Sequence, residues 1–167
     1  MTEQVTDLTV RKTIVVEAPQ ERAFAVFSEQ MGSWWPLDTK SIGSAEAQTA
    51  ILEPHAGGRW YERGVDGSEC DWGRVIAYEA PARLVLNWQI GADWRYDPSI
   101  NTEVEVRFIA HGENETLVEL EHRGLREAYG DAADQVYGIF DSPDGLNSLL
   151  DCYAQRAGAW RLRTTSP

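Results

Sequence analysis

Cysteine is scarce in this chain: Cys70 and Cys152 are the only two, and they lie far apart. Two such residues build no disulfide framework, and neither belongs to a CxxC pair of the kind that marks a zinc site. Positive charge is also in short supply. Lys and Arg number 15 against 27 Asp and Glu, a net charge of −12. Nucleic-acid binding needs a basic footprint, so that partner class is set aside and the acidity is read as solubility. No apolar run approaches the ~18 residues of a membrane span, and the opening MTEQVTDLTV has no apolar core of a signal peptide. Low cysteine usage suits a reducing compartment, so a cytoplasmic soluble protein is expected. The nucleophile elbow GxSxG, the phosphate-binding P-loop and the dinucleotide fingerprint GxGxxG are all missing. Repeats and low-complexity tracts are missing too.

What remains is a chain of 167 residues, 43% hydrophobic and 25% charged. That length and balance predict one domain over 1–167, large enough to bury a core without staples. Residues 8–18 (LTVRKTIVVEA) are rich in β-branched residues and read as a strand. Pro19 suits the first turn of a following helix, in which Ala23, Phe24, Phe27 and Met31 share a face before Gly32 ends it. Six further strands are predicted over 47–53, 57–64, 70–79, 83–90, 102–110 and 115–123, with Asp66-Gly67 as a hairpin signal. Residues 125–141 read as irregular with a short helix. Ser142-Pro143-Asp144 then reads as the cap and first turn of a long C-terminal helix. Its face is Leu146, Leu149, Leu150, Tyr153, Ala157 and Trp160. Strands in series followed by a long amphipathic helix predict an α+β architecture, the helix covering the concave side of a curled antiparallel sheet.

Period-two alternation assigns the inside. Leu84, Leu86, Trp88 and Ile90 share one face; so do Val104, Val106 and Phe108, and Val118, Leu120 and His122. The opposing Glu and Arg residues are expected on the solvated outside. His122 is then the polar residue at an inward position, as a hydrogen-bonded core residue, a ligand contact or an acid/base. Trp60 and Glu62 are placed inward because Arg59, Tyr61 and Arg63 alternate with them, and Glu62 is expected to bond an arginine, a tyrosine or water near the rim.

The stretch HAGGRWYERGVDGSECDWGRV (55–75) gathers His55, Glu62 and Cys70 without metal-ligand spacing, so no metal is expected. Cys70 lies between Glu69 and Asp71, whose charge disfavours a reactive thiolate. The stretch is read as a hairpin that supplies Trp60 and Trp72, with Gly73 permitting a bulge. Seven tryptophans occur in all. Aromatics on a concave sheet suit a small apolar ligand and suit a filled core equally well. Trp34, Trp35, Trp94 and Tyr96 fall in two loops, which either pair in a homodimer or fold back to cap a cavity mouth.

The stretches AFAVFSEQMGSWWP, LEPHAGGRWYERG, WGRVIAYEAPARLVLNWQI, TEVEVRF, VELEHRGL and SPDGLNSLLDCYA, in that order, resemble the SRPBCC superfamily. Within it the chain is similar to the bacterial homologues of the heat-shock-protein ATPase activator, a family tied by name to the stress response. The resemblance covers nearly the whole chain. It implies the START-like helix-grip fold: a curved antiparallel sheet around a long C-terminal helix, with a shorter helix after the first strand and a cavity between sheet and helix. Joined to the alternation, it makes Trp60, Glu62, Trp72, Trp88, Leu120, His122 and Tyr153 the candidate ligand-binding residues. No catalytic signature or cofactor is carried over. The function expected is binding of a small hydrophobic or aromatic ligand. The alternatives are a co-chaperone-like or regulatory module in contact with a chaperone, and a cyclase-like enzyme using His122 or Glu62 as acid/base.

Overall fold

The computed structural model describes residues 8–43 and 45–164, with side chains through Gly158. Seven antiparallel strands run β1 Val10–Val16, β2 Ala47–Leu52, β3 Arg59–Gly64, β4 Glu69–Glu79, β5 Arg83–Trp88, β6 Thr102–Ala110 and β7 Thr116–Arg123. They form one curled sheet in the order β1-β7-β6-β5-β4-β3-β2. Helix α1 (Gln20–Ser28) follows the first strand, and the long α4 (Ser148–Thr164) closes the concave side. The architecture is α+β, the helix-grip arrangement.

Hydrophobic alternation explains the register. Val104, Val106 and Phe108 of β6 lie beside His122, Leu120 and Val118 of β7 and turn inward with them. Phe24 and Phe27 of α1 pack edge-on against Phe108, at centroid distances of 5.0 and 5.7 Å. From α4, Leu149, Leu150, Tyr153 and Ala157 are buried in the same cluster, whereas Trp160 lies outside the residues whose side chains are described. Burial of Leu150 at 2% exposure predicts that Leu150→Ala lowers unfolding free energy by about 3 kcal/mol, read as a shift in the urea midpoint. A loss within about 0.5 kcal/mol, the range of a surface substitution, would contradict that packing.

Three readings are corrected. Residues 125–141 are helical: α2 (Leu125–Tyr129) and α3 (Ala133–Asp141) form a second layer on β1. Leu125, Tyr129, Ala133, Val136 and Phe140 bury their apolar face there, and tertiary burial overrides a segment broken by Gly130. Ser142 does not cap the long helix. Its hydroxyl donates to the Ile139 carbonyl, and a wide turn over Pro143–Asn147 precedes α4. Gly145 lies where a Cβ would overlap the carbonyls of Ile139 and Phe140, so this turn packs backbone against the end of α3.

The third correction concerns the convex face. Glu105 is not solvated there; its side chain is only 5% exposed, between Arg83 (2.7 Å), Arg107 (3.0 Å) and Arg123 (2.6 Å). Burial alone would raise its pKa. The hydrogen bonds from Arg123 and Arg83 and the charge of Arg107 outweigh burial and hold the carboxyl down at about 2.

Candidate functional site

A cavity of about 370 Å³ lies between the concave sheet, the end of α3, the start of α4 and the loop before β2. That is within the usual size of a small-molecule site. Its walls are mainly apolar and rich in aromatic rings. Trp35 lies 4.8 Å from Trp72, Trp72 5.5 Å from Trp60, and Trp60 5.5 Å from Trp88, ring centre to ring centre. Phe140 continues the wall, stacked on His122 at 4.8 Å with 19° between planes. Trp94 lies at the mouth, 39% exposed and edge-on to Phe140. Its φ of 63° is unusual for a bulky residue and belongs to the tight turn after Gly91. Across the mouth, Lys40 Nζ donates to the Asp144 carbonyl at 2.6 Å and links the two segments that frame it.

Of the seven candidate residues, Trp60, Trp72, Trp88, Leu120 and His122 line this cavity. A bulge makes this arrangement possible. Trp60 pairs with Gly73 and Tyr61 with Asp71, so Trp72 is the extra residue on β4 and swings to the concave side. Gly73 is required there because a Cβ would overlap the Asn87 carbonyl of β5.

Glu62 and Tyr153 are placed behind the wall. Glu62 is 2% exposed, and its Oε1 accepts from Trp72 Nε1 (2.8 Å) and the Ile42 amide (2.7 Å). Its Oε2 accepts from the Gly43 amide at 3.0 Å. The protein partners are an indole and two backbone N–H groups, not an arginine or a tyrosine. Glu62 therefore ties the loop before β2 to the cavity wall. Tyr153 packs against Phe27 and Trp34 and donates to the Ala23 carbonyl at 2.7 Å. Burial pushes its pKa up.

His122 is 2% exposed, and its Nε2 lies 2.8 Å from Thr102 Oγ1. Loss of hydration pushes its pKa down to about 3, so the ring is neutral at physiological pH. A folded-state value below the ordinary 6.5 means that the folded protein resists a proton the unfolded chain accepts. Stability is therefore full above 6.5 and falls as pH drops toward 3. Between about pH 7 and about pH 5 wild type should lose about 2 kcal/mol, and His122→Phe should lose little. Glu105 contributes mainly below its ordinary 4.5, so most of the loss in this window comes from His122. Denaturant melts across the window test it, and equal slopes in both proteins would refute it.

Sequence reasoning did not place Phe140 or Leu146 in the cavity wall. Of the two alternatives for the loop aromatics, Trp35 and Trp94 follow the one in which the loops fold back on the cavity. Trp34 and Trp35 are 5% and 9% exposed, so a pairing surface would have only Trp94 and Tyr96 of the four loop aromatics to draw on. Burial, with the charges of Glu62 and Asp71, raises the Cys70 pKa and leaves it a poor nucleophile. Among the described residues no three His, Cys, Asp or Glu side chains converge to hold a metal ion, and no helix is long and apolar enough to cross a membrane.

A curled sheet gripping a long helix over an aromatic-walled cavity defines the START-like class of the SRPBCC superfamily. The chain belongs to the family described as activator of Hsp90 ATPase homolog 1-like protein, whose match runs over residues 17–151. Among solved structures it is similar to an anthrahydroquino-γ-pyrone synthase, with 35% identity, a TM-score of 0.61, and coverage of 93% of this chain and 99% of that one. It is also similar to the self-sacrificing resistance protein CalC from Micromonospora echinospora, at 28% identity and a TM-score of 0.67, covering 89% of this chain and 93% of CalC. An Hsp90 activator from Plasmodium falciparum matches at 20% identity and a TM-score of 0.50, over 78% of this chain and 86% of that one, a likeness of fold alone. No curated protein matches the sequence significantly.

Proposed function

We propose that the protein binds a small, flat, apolar molecule in the cavity beneath α4. The observation that carries this reading is the continuous wall of Trp35, Trp72, Trp60 and Trp88 around about 370 Å³ of space. Offset and edge-on aromatic faces favour an aromatic guest, and rigid rings order little on binding. Apolar burial contributes about 25 cal/mol per Å², so a two-ring aromatic should bind with roughly micromolar affinity after association costs.

The walls supply the assay. Titration with naphthalene-sized aromatics should quench tryptophan emission and saturate, and Trp88→Ala should weaken binding about tenfold. Long-chain fatty acids should bind less well. Were no probe to show saturable quenching in wild type, the binding reading would fail. Contact with a chaperone, the partner that the family's name carries, would then take the lead.

A second reading is favoured by the 35% identity to a synthase of a fused-ring product. In it the same cavity holds and orients a substrate for ring closure, with His122 as the polar contact of its buried wall. The product-forming test is incubation with hydroxylated aromatic precursors and mass analysis, with His122→Phe as the control. An unchanged precursor in both samples would leave binding as the function.

A further inference from the structure

The buried wall of the cavity includes one polar side chain, His122, whose hydrogen-bonding sense follows from counting protons. Thr102 Oγ1 has a single proton, and it donates to the Trp88 carbonyl at 2.9 Å. The same oxygen lies 2.8 Å from His122 Nε2. With its proton committed, the hydroxyl can only accept, so Nε2 carries the imidazole hydrogen. Nδ1 is left with a lone pair and has no hydrogen-bond partner among the described residues.

Among the other buried side chains that line the cavity none offers an acceptor; the oxygens of Thr39, Ser41 and Asp144 belong to exposed residues of its rim. The indole N–H groups of Trp35, Trp60 and Trp72 donate outward, to the Lys40 carbonyl, Met31 Sδ and Glu62 Oε1. Trp88 Nε1 is buried on the side of the Tyr129 hydroxyl. At the mouth, Lys40 Nζ, a donor only, bonds the Asp144 carbonyl, and Ser142 Oγ donates to that of Ile139.

We propose that His122 Nδ1 is the specificity-determining acceptor of this cavity, selecting aromatic ligands that carry a hydroxyl group over their O-alkylated counterparts. The inference rests on the binding function proposed above and names its ligand class: neutral phenols and naphthols. Thr102 is the positioning residue that holds the tautomer. The neutrality of the buried ring agrees with this, since an imidazolium would have no lone pair to offer.

The test uses two probes of one shape, 2-naphthol and 2-methoxynaphthalene, titrated by tryptophan quenching into wild type and His122→Phe. One hydrogen bond changes affinity by about three- to tenfold. The naphthol-to-methoxynaphthalene affinity ratio should therefore be that much larger in wild type than in the variant, which should still bind methoxynaphthalene. Nitrogen-15 NMR of the wild type gives a readout that does not depend on the variant's folding. His122 should show a protonated Nε2 and a bare Nδ1, and the Nδ1 resonance should shift on adding naphthol and not methoxynaphthalene. Saturable binding of both probes with equal ratios in the two proteins, or a proton on Nδ1, overturns the inference and leaves aromatic binding standing. Failure of wild type to bind either probe overturns both.

Discussion

Gly73→Ala should cost at least about 4 kcal/mol or prevent folding, an effect out of proportion to a single methyl group. An added Cβ would overlap the carbonyl oxygen of Asn87, which belongs to the paired strand β5 and cannot move without breaking the sheet. The site of the damage matters. Gly73 pairs with both Trp60 and Trp88, and the adjacent bulge carries Trp72, so three of the cavity's tryptophans depend on this close approach. Gly138→Ala is the matched control. It sits exposed in α3 with no heavy atom within 4 Å of the added carbon, and replacing a helical glycine should stabilise by about 0.5–1 kcal/mol. Urea unfolding of both variants decides the matter. A Gly73→Ala variant as stable as wild type would rule out the close approach of β4 to β5 at the bulge.

Glu62→Ala should destabilise by about 4 kcal/mol, because three N–H donors lose their acceptor at once. It should also weaken aromatic binding, since Thr39 to Ile42 frame the cavity and two of the three donors belong to that loop. Glu62→Gln should lie in between. A glutamine oxygen in the Oε1 position keeps Trp72 Nε1 and the Ile42 amide, while its NH2 would oppose the Gly43 amide. The graded order wild type, Gln, Ala in both melting and probe affinity is the expected result. Equal losses in the two variants would mean that Glu62 acts through bulk and not through its oxygens.

The strands were legible because β5, β6 and β7 each bury one face, and period-two alternation survives wherever one face is dry. It identified Trp88, Leu120 and His122 as inward residues, and the wall contains all three. Alternation was silent at CDWGRV, where a bulge breaks the period and sends Trp72 inward next to Trp60. It also misplaced Glu105, because a carboxylate facing outward is read as solvated, and the three arginines that cover it come from β5, β6 and β7. Residues 125–141 read as irregular with one short helix, and their second helix went unseen for a related reason. Gly130 divides the apolar face between α2 and α3, and the partner of that face, β1, is remote in the chain.

By itself the sequence determined the class of fold: seven strands, the helix after the first, and the face of α4 from Leu149 to Ala157 that covers the sheet. Those are local patterns, set by which residues must leave water. Tertiary structure alone decided the site. Glu62 faces inward as the alternation requires, yet it bonds amides twenty residues earlier in the chain and lies behind the wall. His122 is inward in either reading, but its tautomer depends on Thr102 of the neighbouring strand, whose one proton goes to Trp88. Hydrogen-bond partners separated by many residues leave no periodic trace. The chemistry of the cavity becomes readable only when the sheet brings β5, β6 and β7 side by side.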